Sequence, residues 1–181
     1  MVIPENIIFS TIFYIISLGS IVVGCLGALC SNNIKYFISF TSINNLGFVF
    51  MGFSTLNFYT QFYSFLFLII YFFNFIIFFI SILFIKKYSN VNFNIIKDDV
   101  SFNRFSNLVK FNNNQFLNFI LLISFFSISN LPPFASFFIK INLLSSVWEY
   151  GNCFMVIVAL LCSFISIFYY FKLVKLLFLN K

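Results

Sequence analysis

Lys140 is the residue whose type and place could do chemistry. It stands in a long apolar run, 115–147, seven residues beyond Pro133 and eight before Trp148. Eight residues of helix put it roughly 12 Å inside the nearer end of the run. If that run crosses a bilayer, an ammonium there costs about 2.5–3.5 kcal/mol on insertion scales and needs a wet cavity, an acidic partner or a neutral protonation state. A buried lysine exchanges protons readily, which makes it a candidate proton carrier. The plainer alternative is a lysine that snorkels to the headgroups on its flexible stem, against which the nearest interface lies about two turns away. Seven residues upstream, Ser129-Asn130-Leu131-Pro132-Pro133 predicts a break: adjacent prolines remove two backbone donors, and Pro132 disfavours helix at Leu131. Lipid tolerates the backbone groups a break exposes only where protein or a wet cavity takes them up. Leu131, Pro132 and Pro133 therefore mark a polar pathway beside Lys140.

A second polar group lies at Thr41, Ser42, Asn44 and Asn45, inside a twenty-residue apolar run that also holds Gly47 and Gly52. Hydrogen bonding between helices explains such residues, with glycine allowing close approach. The functional alternative is that Thr41, Ser42 and Asn44 orient water along a proton path. Gly19, Gly24 and Gly27 predict tight packing of the preceding run, although Gly24 and Gly27 fall short of a strict GxxxG.

Membrane-spanning helices must position these groups. The chain is 62% hydrophobic and 8% charged, with a net charge of +6, against roughly 25% charged residues in soluble domains, so the bilayer is its solvent. Runs of about 20 apolar residues occur near 7–30, 34–53, 62–85, 115–147 and 153–171. They are continuous rather than alternating, which excludes a barrel. The fold class is thus an all-α polytopic membrane protein, a single transmembrane helical domain over 1–181 with about five transmembrane helices. The fourth run of some 33 residues would measure roughly 50 Å as a straight helix. It is long and broken at Leu131-Pro132-Pro133.

The first run is too long for a signal peptide and is preceded by Glu5 rather than basic residues, so it is expected to stay in the mature protein. Lys35, then Lys86, Lys87, Lys97, Arg104 and Lys110, then Lys172, Lys175 and Lys181 all fall on one side, which places the N-terminus outside and the C-terminus inside. Lys35, Lys172 and Lys175 read as snorkelling anchors, and Glu149 beside Trp148 and Tyr150 as an interfacial charge in an aromatic belt. The polar 88–114 segment is an inside loop whose apolar residues could lie along the interface.

Other classes are excluded by composition. There is no His, and Cys25, Cys30, Cys153 and Cys162 lack CxxC spacing, so haem, iron–sulfur and zinc sites are without their usual ligands. No cofactor or metal is expected on this chain. Basic residues at the ends of apolar runs reflect membrane topology rather than nucleic-acid binding. The excess of Phe, Ile, Asn, Tyr and Lys is what A+T-rich codons produce, as in many organelle genomes.

Three segments in this order carry a resemblance: Ile34-Lys35 with Phe40-Thr41-Ser42-Ile43-Asn44-Asn45-Leu46-Gly47-Phe48, then Leu131-Pro132-Pro133-Phe134-Ala135-Ser136-Phe137-Phe138-Ile139-Lys140, then Phe168-Tyr169-Tyr170-Phe171-Lys172-Leu173. Together they resemble the antiporter-like, proton-translocating membrane subunits of respiratory complex I, most closely the C-terminal part of chain 2 of mitochondrial NADH:ubiquinone oxidoreductase. That family shows IKR-x-x-x-YSSISHLG, LPP-x-x-GF-x-x-K and YYYLRL stretches at similar distances. The resemblance covers about 7–175 and implies that Lys140 belongs to the membrane's central chain of ionisable groups. It also implies that the positive side faces the mitochondrial matrix of the inner membrane, making 88–114 a matrix-side loop. NADH, flavin, iron–sulfur clusters and ubiquinone are expected elsewhere in the complex, and other complex I membrane-arm subunits and phospholipids as partners.

The chain also departs from the family. Asn45 stands where the family often has His, Ser136 where it has Gly, and Tyr36 and Lys172 where it has Arg. Its upstream helices, with a glutamate and two lysines, have no counterpart here. The expectation is therefore the C-terminal portion of a split subunit, completed by a separate chain that supplies the missing N-terminal helices. The chain is expected to be a non-redox subunit without a complete catalytic site. A structural membrane subunit without proton transfer, and a cation/proton antiporter subunit, are the alternatives.

Overall fold

A computed structural model describes residues 5–31, 33–90, 115–132 and 134–178. Six helices follow one another: α1 (Glu5–Cys30), α2 (Ile34–Ser54), α3 (Phe58–Asn90), α4 (Gln115–Ile128), α5 (Ala135–Glu149) and α6 (Cys153–Phe178). Four of them contain apolar stretches long enough to cross a membrane, at Ile8–Cys30, Lys35–Ser54, Phe58–Phe84 and Cys153–Phe171. The protein is all-α and polytopic. The fourth run is two helices of 14 and 15 residues, each about 21–22 Å long and too short to cross the roughly 30 Å hydrocarbon layer alone. The expected 88–114 loop lies outside the described residues except for 88–90, which continue α3.

Burial is reversed relative to a soluble protein. Phe58, Phe72, Phe73 and Phe168 are largely exposed, whereas Ser17, Thr41, Asn44, Asn45, Ser64 and Lys140 are buried. Most hydroxyls are satisfied within their own helix. Ser17 donates to Tyr14 O at 2.8 Å, Ser81 to Phe78 O at 2.7 Å and Ser124 to Leu121 O at 2.8 Å. Such back-bonding removes the donor without a partner helix or water, so these serines are structural.

The helix ends follow from local chemistry. Asn57 accepts from the Tyr59 backbone N–H at 3.3 Å through its side-chain oxygen, the N-cap arrangement that starts α3. The end of α4 is a Schellman closure. The Asn130 N–H donates to Ser127 O at 3.4 Å and the Leu131 N–H to Phe126 O at 3.5 Å, with Asn130 in the left-handed region at φ +55, a conformation asparagine tolerates better than branched residues do. Pro132 follows, which prevents continuation. Across the break, the buried Ser136 hydroxyl donates to Ser127 O at 3.0 Å. The serine that replaces the family's glycine therefore supplies a donor to a carbonyl freed by the break. Asn130→Val is expected to be less stable than Asn130→Gly by about 1–2 kcal/mol through left-handed strain, since both lose the side-chain hydrogen bond of Asn130. Ser136→Ala should cost about 0.5–1.5 kcal/mol by removing one buried hydrogen bond to Ser127 O, which keeps the Asn130 N–H. Thermal unfolding of the detergent-solubilised protein reads both.

Two apolar cores divide the bundle. Ala28, Phe37, Phe78, Leu121, Phe125, Ile128, Tyr169 and Tyr170 form the first; Ile21, Cys25, Phe48, Met51, Phe67, Leu143, Val147, Met155 and Ala159 belong to the second. The described core residues of α4 lie in the first and those of α5 in the second, so the break falls where the two cores meet. On α2, Thr41, Asn44 and Asn45 sit between Phe37 of the first core and Phe48 of the second. On α3, Tyr71 lies between Phe67 and Phe78, and on α6 Ser166 between Cys162 and Tyr169. A polar layer thus crosses the middle of the bundle.

α1 and α2 pack along most of their lengths, and glycine makes this possible. A Cβ added to Gly24 would lie 2.5 Å from Asn44 N and 2.8 Å from Asn44 Cα, and one added to Gly47 would lie 2.6 Å from Ile21 Cγ1. Gly19, expected to share this packing, has nothing within 4 Å of an added Cβ.

Candidate functional site

Lys140 enters the polar layer from α5, within two turns of that helix's start at Ala135. It is 6% exposed. A helical side chain leans toward the N-terminus of its helix, so the lysine is directed back to the break rather than outward to the headgroups. Its Nζ lies over the ring of Phe48 on α2, 3.8 Å from the centroid. Glu149, the one acidic residue of α5, is exposed and nine residues further on, about 13 Å along the axis. Glu5 begins α1, and Asp98 and Asp99 lie outside the described residues. No described carboxylate stands at the depth of the lysine. Its other electrostatic neighbours are the thiols of Cys25 on α1 and Cys162 on α6, brought together by a 3.4 Å contact from Cys25 Sγ to Cys162 O.

The break is tied to α2 directly. Asn130 Nδ2 donates to Asn45 Oδ1 at 3.4 Å, joining residues 85 apart in sequence. Ser42 accepts from the Tyr71 hydroxyl at 2.9 Å and donates to Ile38 O at 2.8 Å. Thr41 donates to Ile38 O at 2.9 Å, so its hydroxyl can only accept from anything further. Asn44 is 4% exposed and its Oδ1 has no hydrogen-bond partner. A buried amide oxygen left in that state costs about 1–3 kcal/mol unless water or a mobile donor reaches it. A small cleft beside Thr41, bounded by Phe37, Phe78, Phe125 and Tyr170, has room for about one water molecule.

The geometry thus brings Lys140, Asn44, Asn45 and the break into one layer. Thr41 is buried and Ser42 half-buried in the same layer, Leu131 is half-buried and Pro132 exposed, and Pro133 lies outside the described residues. Lys35 is exposed at the first turn of α2, as an anchor would be; nothing is described for the side chains of Lys172 and Lys175. Phe48, Tyr71 and the two thiols escaped sequence reasoning. Phe48 is one of 33 phenylalanines, and only its place four residues after Asn44 sets it on the same face of α2. Among the described residues no three His, Cys, Asp or Glu side chains converge on a metal position.

Similarity to known proteins agrees with this arrangement. The family described as NADH:quinone oxidoreductase/Mrp antiporter, TM, matches residues 1–166. The NADH-quinone oxidoreductase subunit N of Pelagibacter ubique is 31% identical over 170 residues, 94% of this chain and 34% of the relative. That of Cytophaga hutchinsonii is 33% identical over 153 residues, 84% and 31% respectively. The chloroplastic NAD(P)H-quinone oxidoreductase subunit 2 of Mesostigma viride is 32% identical over 180 residues, 94% of this chain and 32% of that protein. The chain spans about a third of the length of these relatives. With its broken helix and buried lysine in a polar mid-bundle layer, it belongs to the NADH:quinone oxidoreductase/Mrp antiporter transmembrane family.

Proposed function

We propose that this chain is a membrane-arm subunit of respiratory NADH:ubiquinone oxidoreductase and forms part of an antiporter-like proton-translocation channel. The observation that carries this reading is Lys140: buried, without a carboxylate at its depth, and placed at a helix break whose backbone is tied into a polar layer. The names of the relatives supply the complex. Redox energy captured by other subunits changes the electrostatics along the membrane arm. Lys140 then accepts a proton from the inner side and releases it toward the outer half. Thr41, Ser42 and Asn44 orient the water that connects it to the inner side.

NADH, flavin, iron–sulfur clusters and ubiquinone act on other chains of the complex; this chain is a non-redox subunit. The two thirds of the relatives that this chain does not cover represent further helices, which complete the channel. Its location is the mitochondrial inner membrane, with the N-terminus on the intermembrane-space side and the C-terminus in the matrix. A C-terminal epitope tag is accordingly expected to resist protease in intact mitoplasts and to be cut after detergent treatment; cleavage in intact mitoplasts would reverse the orientation.

Native purification of the membrane complex, with in-gel NADH dehydrogenase activity and mass spectrometry of the same band, tests the reading. A band that oxidises NADH and holds a second antiporter-like fragment supports it. Migration without that activity overturns it. A structural subunit without proton transfer is the second reading, favoured by the hydroxyls that bond within their own helices and by the two apolar cores on either side of the layer. Mutation of Lys140 separates the two.

A further inference from the structure

A buried ammonium needs something to stand in for water, and among the described residues no carboxylate lies at the depth of Lys140 to serve. Phe48 supplies a different surface. Its ring centroid is 3.8 Å from Lys140 Nζ, well inside the roughly 6 Å over which an aromatic face attracts a cation, an attraction that strengthens when water is excluded. Phe48 is fully buried and is braced edge-on by Phe67 of α3, with ring centroids 6.2 Å apart and planes at 61°. The ring is therefore fixed, while the lysine stem is not.

Asn44 precedes Phe48 by four residues, about one turn and about 6 Å back along the same face of α2. Its Oδ1 is buried and unpartnered, and its backbone is pressed against Gly24, where an added Cβ would come within 2.5 Å of it. With no side chain between them at this point, α1 and α2 are in direct contact here, and Asn44 is set in the layer by that packing. It is an acceptor held one helical turn from the ring over which a cation with a four-carbon stem lies. Phe48 marks the second core, and Asn44 lies on the side of Thr41 and the first core.

We propose that Phe48 and Asn44 are the positioning residues of Lys140 and form a two-position seat: the ammonium rests on the Phe48 ring at one depth, and swings one helical turn to donate an N–H to Asn44 Oδ1 at the other. The seat replaces the carboxylate partner with an aromatic face and a neutral amide, so the lysine changes depth without separating from a counter-charge. This rests on the reading of Lys140 as the proton carrier.

The test is proton yield per NADH oxidised, measured on the assembled complex in sealed vesicles for Lys140→Ala, Phe48→Leu, Phe48→Met, Phe48→Tyr and Asn44→Leu. Phe48→Leu and Phe48→Met remove the ring while keeping an apolar side chain, and Asn44→Leu removes the acceptor while keeping the branched shape. All three are expected to bring the yield down to that of Lys140→Ala, with unchanged complex abundance. Phe48→Tyr, which keeps the ring face, is expected to retain at least half the wild-type yield. Adding Phe48→Leu to Lys140→Ala should bring no further loss, since the ring then has no cation to hold. A wild-type yield in either ring-less variant, or in Asn44→Leu, overturns the seat while leaving the role of Lys140 standing. A wild-type yield in Lys140→Ala removes the role itself. Equal losses in Phe48→Tyr and Phe48→Leu would show that Phe48 acts only by packing, which also overturns the proposal.

Discussion

Lys140→Ala is expected to lower proton transfer through this chain by about 10²-fold, the lower end of what a positioned proton-transfer group supplies, while the complex still assembles. Two physical facts keep assembly and transfer apart. Among the described residues the lysine makes no ion pair at its depth, so its removal strands no buried carboxylate there, the usual reason why loss of one charge unfolds a core. The ammonium also carries an insertion cost of about 2.5–3.5 kcal/mol that disappears with it. Against this stands the cavity left beside Phe48, which Lys140→Met fills with a stem of similar length. Both variants should therefore lose proton yield, and Lys140→Met should match or exceed the wild type in complex abundance. Dye-quench measurement of proton uptake against NADH consumption in sealed vesicles gives the ratio. An assembled Lys140→Ala complex that pumps as the wild type does would leave the chain with a structural role.

The second large effect concerns Gly24. An added Cβ would meet Asn44 N at 2.5 Å and Asn44 Cα and Cβ at 2.8 Å, mostly backbone atoms of α2 that cannot rotate away. Gly24→Ala should cost about 1–3 kcal/mol as an overpacked contact. Gly24→Leu forces α1 from α2 and is expected to reduce the assembled complex to a small fraction of wild-type abundance on native gels. Gly19→Ala is the control: with nothing within 4 Å of its Cβ, it should be neutral, or slightly stabilising because alanine favours helix over glycine by up to about 1 kcal/mol. Equal behaviour of the two alanine variants would remove close approach as the reason for Gly24.

These two glycines also show how far a sequence reads in lipid. Gly19 and Gly24 are identical in type and both lie in an apolar run, yet five residues of helix rotate them about 140° apart, and only one face meets α2. Hydrophobic periodicity normally identifies that face, but here both faces are apolar, because lipid and core demand the same side chains. Phe48 was hidden for the same cause among its many exposed counterparts. The break and Lys140 stood out because proline and charge are exceptions in lipid. Asn130 was visible as part of the break, whereas its bond to Asn45 joins distant parts of the chain that no local rule connects. The start of α3 at Phe58 had a local signal, the Asn57 cap, that hydropathy alone passes over.

The closure at Ile128 to Ala135 has a mechanical consequence. Phe126 O and Ser127 O, at the end of α4, are engaged by Leu131, Asn130 and Ser136, so this end is held instead of fraying. A load applied at Lys140 is then not absorbed by unwinding the end of α4, and the hydroxyl of Ser136 passes it from α5 to α4 directly.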